Sequence, residues 1–172
     1  MSRKRAILAG AVIALAWPSA RVGAQRTATT NLVVQVAPEA RLSPSRVELR
    51  FVVSGDAASD LTNQTAAIAA WVRALPSQRI RLLAHFAGLS GPSGTVPTSA
   101  IRWTGSNTHA TLGAQAATCA GGSFAGGASQ DLVAGWQRSG MLACAVTFSL
   151  ADPRSLTPGV YSGVVDLTLR AE

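Results

Sequence analysis

The sequence has little of what catalytic and metal sites require. Its two histidines, His85 and His109, stand at no spacing typical of metal ligands, either from each other or from the two cysteines. The nearest approach to the G-x-S-x-G turn of serine hydrolases surrounds Ser123, but Ala125 takes the place of the last glycine. The eight acidic residues fall mostly in turns or on polar strand faces, which differs from the paired carboxylates of glycosidases. We therefore expect a protein that is not an enzyme and that has no cofactor and no metal.

The sequence also lacks an apolar run long enough to cross a membrane. The longest run, residues 6–17, has twelve residues, whereas a membrane-spanning helix needs about 20. It follows the basic residues 3–5 and precedes the small residues Val22-Gly23-Ala24, an arrangement typical of a Sec-type export signal and its cleavage site. We therefore predict a signal peptide at residues 1–24 and a single domain at residues 25–172, located in the periplasm, outside the cell or on its surface. A buried or amphipathic N-terminal helix is the alternative.

Charge is sparse and is not concentrated anywhere in the predicted mature chain. The whole sequence carries 15 basic and 8 acidic residues, but four of the basic ones lie in the predicted signal peptide. Residues 25–172 therefore hold 11 basic against 8 acidic residues, a net charge of +3. Because the arginines are scattered and form no run and no basic helix, we expect no binding of nucleic acid.

The two cysteines, Cys119 and Cys144, both lie in the part of the chain that we expect to be exported. In an oxidising compartment two cysteines most simply form one disulfide. This disulfide would close a loop of 26 residues. The chain-entropy model puts the stabilisation from a loop of that length at about 3.5 kcal/mol. Free thiols and a metal site are the alternatives.

What the sequence does contain is a series of short segments in which apolar and polar side chains alternate. The predicted strands centre on residues 31–36, 46–54, 79–87, 101–103, 142–150 and 161–170. Turns rich in Pro, Gly and Ser separate them, as at Gly91-Pro92-Ser93-Gly94 and Pro158-Gly159. Half-buried strands at this spacing, without helical repeats between them, predict an all-β protein, an immunoglobulin-like antiparallel β-sandwich of about 7–9 strands.

Two segments do not follow this pattern simply. Residues 66–75 are rich in alanine and fit a helical stripe, yet they also alternate in the way of a strand. The turn at Pro76-Ser77 leads straight into the next predicted strand, so we favour a strand over a helix at residues 66–75. Residues 119–131 contain four glycines among small residues, and we predict a mobile surface loop that is tethered at Cys119.

The last predicted strand carries its apolar side chains on one face, at Tyr161, Val165, Leu167 and Leu169. The stretch TPGVYSGVVDLTL (157–169) resembles the terminal strand of exported immunoglobulin-like domains, among them the spore-coat-U-like and fimbrial subunits of chaperone–usher systems. Those subunits carry a glycine fourteen residues from the C-terminus, a place that Gly159 holds here. The resemblance implies the fold and the exported location.

The same resemblance implies a role for the residues that follow the predicted signal peptide. Chaperone–usher subunits have an N-terminal extension with alternating apolar residues, which completes the sheet of a neighbouring subunit. Residues 25–37 contain such a pattern at Leu32, Val34 and Val36, so they are either an extension of this kind or the first strand of the domain. The partners implied are other subunits or a chaperone, bound by strand addition.

The tryptophans of the predicted mature chain leave a second function open. Trp103 shares a strand face with Ile101, which favours a place in the core. Trp71 and Trp136 would stack on a sugar if both were exposed on one sheet face, and would be core residues if they were buried. The sequence thus predicts a structural or adhesive surface protein, in one version a pilin-like subunit. The alternative is a self-complete binding module for a carbohydrate or protein ligand.

Overall fold

The alternating segments fold into antiparallel sheets in the computed structural model, which describes residues 37–56, 61–124 and 127–172. The described residues belong to one compact unit, and their sheets form a sandwich, so the predicted all-β fold class is confirmed. The predicted signal peptide at residues 1–24 lies outside the described residues. So does the predicted strand at Leu32, Val34 and Val36.

Thirteen strands and two short 3-10 helices are present in the described ranges. The strands are β1 (Glu39–Ser43), β2 (Arg46–Val53), β3 (Asn63–Arg73), β4 (Ile80–Phe86), β5 (Leu89–Gly91), β6 (Gly94–Val96), β7 (Ile101–Leu112), β8 (Thr118–Cys119), β9 (Gly122–Ser123), β10 (Gln130–Asp131), β11 (Val133–Ala134), β12 (Gly140–Leu150) and β13 (Gly159–Ala171). The 3-10 helices are Thr98–Ala100 and Pro153–Ser155. The predicted number of about 7–9 strands is too low, because segments expected to be turns pair as short strands. One example is the hairpin that β5 and β6 form around Pro92 and Ser93.

Two main sheets make up the sandwich. The first has the strand order β1-β3-β12-β7-β9, and the second has the order β10-β4-β13-β5-β6, with β2 also paired to β13. β8 and β11 form a separate two-stranded ribbon. β1 and β2 follow each other in the chain but lie in different sheets, so the chain crosses from one sheet to the other at Pro44.

The two-residue period of the long strands decides which side chains fill the core. Along β12, every second residue from Gly140 to Leu150 is buried, and the residues between them are partly exposed. The inward face predicted for residues 142–150 is therefore confirmed. Inward residues of β2, β4 and β13 join those of β12 in one hydrophobic cluster, as expected when each sheet has one apolar face.

The preference for a strand at residues 66–75 is confirmed, because this part of the chain lies mostly in β3. β3 pairs with β1 on one edge and with β12 on the other. Its residues Ile68, Ala70 and Val72 are buried, whereas Trp71 faces outward. Alanine prefers the helix by at most about 0.7 kcal/mol per residue over ordinary residues. Pairing on both edges and burial of one face outweigh that preference.

The described part of residues 119–131 is mostly exposed, as predicted for a surface segment, but it contains the end of β8 and the short strands β9 and β10, and it places Phe124 in the core. Phe124 is only 1% exposed. Its ring centroid lies 4.7 Å from that of Trp103 and 5.1 Å from that of Phe86. Gly122 permits this approach, since a Cβ atom at this position would collide with the indole of Trp103. Small residues thus let the segment lie close against the sheet and insert one large ring into the core.

Cys119 and Cys144 form the predicted disulfide, with their Cα atoms 6.2 Å apart. It joins the ribbon strand β8 to the inward face of β12. Asn107 of β7 holds the same segment, because its side-chain NH₂ group donates to the carbonyl oxygen of Ala117 at 2.7 Å. The side-chain oxygen of Asn107 accepts a hydrogen bond from the backbone N–H of Cys119 at 2.8 Å. The ribbon is therefore attached to the first sheet by the disulfide and by hydrogen bonds with the side chains of Asn107 and Trp103.

The C-terminal strand β13 lies inside the second sheet and not at its edge. Residues Gly159–Asp166 pair with β2, and residues Val165–Ala171 pair with β4 on the opposite side. The predicted apolar face is confirmed by its burial, which is nearly complete for Tyr161, Val165 and Leu167 and partial for Leu169. β13 is therefore paired with strands of the same chain on each edge over part of its length, and the two pairings overlap at Val165 and Asp166.

A tyrosine holds the corner at which β13 begins. The hydroxyl of Tyr161 donates to the carbonyl oxygen of Thr157 at 2.7 Å and lies 2.9 Å from the hydroxyl oxygen of Ser93. Tyrosine corners of this kind are typical of immunoglobulin-like sandwiches. Gly159 packs against Pro92, and a Cβ atom at Gly159 would collide with the proline ring. Gly159 therefore has a local packing role in this chain.

Candidate functional site

The outward face of the first sheet carries Trp71 near the end of β3. The cross-strand register places Arg41 of β1 opposite Trp71 on one side and Met141 of β12 opposite it on the other. Arg73 lies on the same face, because side chains two residues apart along a strand point the same way. Three side chains therefore surround the indole, and two of them are cationic.

The two guanidinium groups flank the indole within cation–π range. Cζ of Arg73 lies 5.4 Å from the ring centroid of Trp71, and Cζ of Arg41 lies 5.9 Å from it. Both guanidinium groups lie over the ring, at distances close to the outer limit of about 6 Å for a cation–π contact. Glu39 holds Arg41 through an ion pair with an Nη2–Oε1 distance of 2.8 Å. These contacts limit the orientations that the indole can adopt.

A shallow recess of about 210 Å³ opens beside the indole. It is lined by Arg41, Leu42, Ser43, Ala69, Ala70, Trp71 and Met141. The small side chains of Ser43 and Ala69 leave room that Trp71 and Met141 border. A recess of this kind suits a ligand that has both an apolar surface and groups that accept hydrogen bonds.

The structure does not bring Trp136 to this face. Trp136 is 1% exposed, so the prediction of two ligand-stacking tryptophans is wrong for Trp136. Its Nε1–H donates to the carbonyl oxygen of Arg138 at 2.9 Å, so the one polar group of the buried indole has a partner. Trp103 is 3% exposed, as predicted for a core residue. Of these three tryptophans, Trp71 is the one that remains accessible.

Sequence reasoning did not find Arg41 and Met141. Both reach Trp71 through cross-strand register, which no local pattern in the sequence encodes. β1 is also a strand that the alternation of side chains did not predict. The spacing of two residues between Trp71 and Arg73 is the one local signal for this site.

The other charged and metal-ligating side chains of the described residues form no metal site. In the described ranges, no three His, Cys, Asp or Glu side chains lie close enough together to hold a metal ion. A side-chain hydrogen bond with Asp131, together with the charge of that carboxylate, raises the pKa of Arg81 above its ordinary value. Arg81 therefore stays protonated throughout the ordinary pH range.

Two further findings bear on the class of protein. The part of the chain that the structure describes contains no helix with the length and apolar character needed to span a bilayer. Comparison of the chain with protein-family models, with curated proteins and with solved structures finds no match. Function is therefore argued from the site and not from relatives.

Proposed function

We propose that this chain is a non-enzymatic, exported binding module that takes a carbohydrate at the Trp71 recess. The observation that carries the proposal is the partly exposed indole of Trp71, flanked by two arginines beside an apolar recess. The exported location rests on the sequence of residues 1–24.

The chemistry around the indole suits a sugar ring. An indole presents a flat apolar surface against which the C–H groups of a sugar ring pack. Arg41 and Arg73 each offer several N–H donors to the hydroxyl groups of the same ring. The recess, at about 210 Å³, is smaller than the 300–1,000 Å³ or so of pockets that enclose a drug-sized ligand. It therefore suits one unit of a longer glycan that lies along the surface.

The completeness of the sandwich supports a module that works as a single chain. β13 pairs with strands of the same chain on both edges. The large rings of the core are all buried, at Phe51, Phe86, Phe124, Phe148 and Tyr161. The exposed large apolar residues in the described ranges stand at four separate positions, Leu61, Leu75, Leu112 and Val160. Isolated residues of this kind are ordinary on protein surfaces, whereas a sheet that lacks a strand leaves a continuous apolar groove.

Glycan binding by residues 25–172, measured by array screening and then by calorimetry, tests the proposal. Trp71→Ala should weaken binding by about thirtyfold, because truncating an anchoring tryptophan costs about 2 kcal/mol or more. Val160→Ala, which removes an exposed apolar side chain from the second sheet, should leave the affinity unchanged. If Trp71→Ala binds every captured glycan as tightly as the unaltered chain, the Trp71 site is wrong.

Assembly by strand addition is a second function, favoured by a different observation. β1 is an edge strand, since in the described ranges it pairs with β3 alone. An edge strand offers unpaired backbone N–H and C=O groups to another strand. Residues 25–37, with Leu32, Val34 and Val36, lead into β1 and are the segment that a pilin-like subunit would donate.

Sedimentation velocity over a range of concentrations separates the two functions. Strand addition predicts self-association that disappears when residues 25–37 are deleted, whereas the binding module predicts a monomer with and without them. Val34→Pro is a matched single change, because proline removes a backbone donor and is tolerated poorly within a paired strand. It should abolish assembly by a pilin-like subunit and leave a monomeric binding module unaffected.

A further inference from the structure

Two chain segments meet at the end of the sandwich where β3 turns into β4. In the first, the backbone N–H of Gln78 donates to the carbonyl oxygen of Leu75 at 3.0 Å. The side-chain oxygen of Gln78 accepts from the N–H of Leu75 at 2.9 Å. In the second, the hydroxyl of Ser139 donates to the carbonyl oxygen of Ala74 at 3.0 Å and accepts from its N–H at 2.9 Å. These reciprocal hydrogen bonds shape the turn and attach it to the second segment.

The buried Trp136 forms hydrogen bonds with both of these chain segments. Its indole N–H donates to the carbonyl oxygen of Arg138 at 2.9 Å, and its own carbonyl oxygen accepts from the N–H of Ile80 at 3.1 Å. Arg79, the neighbour of Ile80, exchanges two main-chain hydrogen bonds of 2.7 and 2.8 Å with Glu172. The backbones at Arg79 and Arg138 are therefore positioned before any ligand arrives, which lowers the entropy lost on binding.

A polar cavity of about 260 Å³ opens between these segments. It is lined by Pro76, Ser77, Gln78, Arg79, Gln137 and Arg138. A cavity of about 310 Å³ shares Arg79 and Gln137 with it, and another of about 420 Å³ shares Pro76 and Arg138. The three cavities are therefore neighbours at this end of the domain, and together they are called the groove; the cavity of about 260 Å³ is lined by both arginines.

The arginines that line these cavities differ in whether they form an ion pair with an acidic side chain. Arg81 binds the carboxylate of Asp131 through two hydrogen bonds of 2.9 and 2.8 Å and lies 3.7 Å from the carboxylate of Glu172. Among the described residues, Arg79 and Arg138 have no acidic side chain within ion-pair distance. Two arginines that form no ion pair with a described acidic side chain therefore line the same cavity.

We infer that this cavity is a second binding site, separate from the Trp71 recess, for the carboxylate or sulfate group of an acidic saccharide. A guanidinium group binds such oxyanions through two parallel N–H···O hydrogen bonds. The hydroxyl of Ser77 and the side-chain amide of Gln137 supply further polar groups for sugar hydroxyls. The site uses none of the residues that line the Trp71 recess, so it stands independently of the function proposed above.

The residues that line the three cavities favour an acidic saccharide over other polyanions. Proteins that hold single-stranded nucleic acid combine positive charge with exposed aromatic side chains on which the bases stack. The aromatic residue among those that line the three cavities is Trp136, and its ring is buried. Hydroxyl and amide side chains around two arginines instead match a ligand that carries hydroxyls along with its charge.

Calorimetry with residues 25–172 and three probes tests the inference. The probes are a sulfated oligosaccharide, a carboxylated oligosaccharide such as an oligogalacturonate, and a neutral oligosaccharide of equal length. Arg79→Gln and Arg138→Gln should each lower the affinity for an acidic probe by about tenfold, the effect of losing one charge-assisted contact. Arg154→Gln is the matched control, because Arg154 is exposed and lies beyond the opposite end of β12. It makes the same change in net charge and should leave the affinity unchanged.

Four outcomes decide the matter. Unchanged affinity in the Arg79→Gln, Arg138→Gln double variant would overturn the site, as would an equal loss in Arg154→Gln. If inorganic sulfate binds as tightly as the acidic oligosaccharides, the ligand of the groove is not specifically a saccharide. The same conclusion follows if a nucleic acid or an acidic peptide binds more tightly at the same arginines. Trp71→Ala should leave binding of the acidic probes to this groove intact. If Trp71→Ala loses no affinity for any glycan while the acidic probes still bind through Arg79 and Arg138, the Trp71 site is wrong and the groove stands.

Discussion

The C-terminal strand β13 and the glycine-rich segment at residues 119–131 both fill the core, but they do so differently. β13 points Tyr161, Val165 and Leu167 into the core and Leu169 partly so, and its sequence alternates accordingly. The glycine-rich segment inserts Phe124 among rings that other strands supply, and small residues surround Phe124 in the sequence. The buried face of a regular strand can therefore be predicted from the alternation of apolar and polar residues in its sequence. The buried residue of an irregular segment cannot be predicted in this way, because its burial depends on the strands against which the segment packs.

The largest expected effect tests whether the glycine-rich segment belongs to the core as fully as a central strand does. Phe124→Ala should lower the free energy of unfolding by about 3–5 kcal/mol, because it leaves a cavity between buried rings. Phe148→Ala, on the inward face of β12, is the comparison and should cost a similar amount. Denaturant titration of both variants gives the two values. A loss below about 1 kcal/mol for Phe124→Ala alone would show that the segment only covers the core.

The disulfide holds one of these two regions, since it joins the glycine-rich segment to the regular strand β12. The double variant Cys119→Ala, Cys144→Ala should lose about 3 kcal/mol of stability, because the unfolded chain regains the freedom of the closed loop. Dithiothreitol should destabilise the unaltered chain by a similar amount and leave the double variant unchanged. Equal stability of oxidised and reduced protein would contradict this account.

A smaller effect is expected at the corner where β13 begins. Tyr161→Phe keeps the buried ring but removes the hydroxyl that contacts Thr157 and Ser93. The loss should be about 1–2 kcal/mol, the cost of leaving a partly buried carbonyl oxygen without its partner. Ser93→Ala, which removes only the weaker of the two partners, should cost less than Tyr161→Phe in the same denaturant titration. The opposite order would show that the Thr157 contact does not hold the corner.

The smallest effect is expected on the outward face of β13. Asp166 accepts a hydrogen bond of 3.0 Å from Nε of Arg46, and both side chains are largely exposed. Asp166→Asn should therefore change the free energy of unfolding by about 0–1 kcal/mol, as for other exposed ion pairs. A loss above about 2 kcal/mol would mean that the outward face of β13 contributes as much as an inward position.

Much of the fold could be predicted where a strand has one buried face. The inward residues of β12 and β13 follow from alternation alone, and even the alanine-rich β3 was assigned correctly because a turn follows it directly. The short strands from β8 to β11 could not be predicted, because they are too short to show a period. Their pairing depends on contacts with β7 and β4 that form only in the folded chain.

The candidate sites were less predictable than the fold. Trp71 and its neighbour Arg73 stand out in the sequence, but Arg41 and Met141 reach the indole only through the pairing of β3 with β1 and β12. Trp136 looks the same as Trp71 in sequence, yet it is buried beneath Arg138. Exposure of a single aromatic residue depends on the side chains that other strands place around it.

The central claim is that the strands described here complete their own sandwich without a donated strand. Denaturant unfolding of residues 37–172, expressed alone and followed by tryptophan fluorescence and sedimentation, tests it most directly. We expect a monomer with a single cooperative transition, because the hydrophobic core of the described residues is covered by strands that lie within that range. A chain that stays unfolded or aggregates, and that folds only when a peptide of residues 25–36 is added, would contradict it.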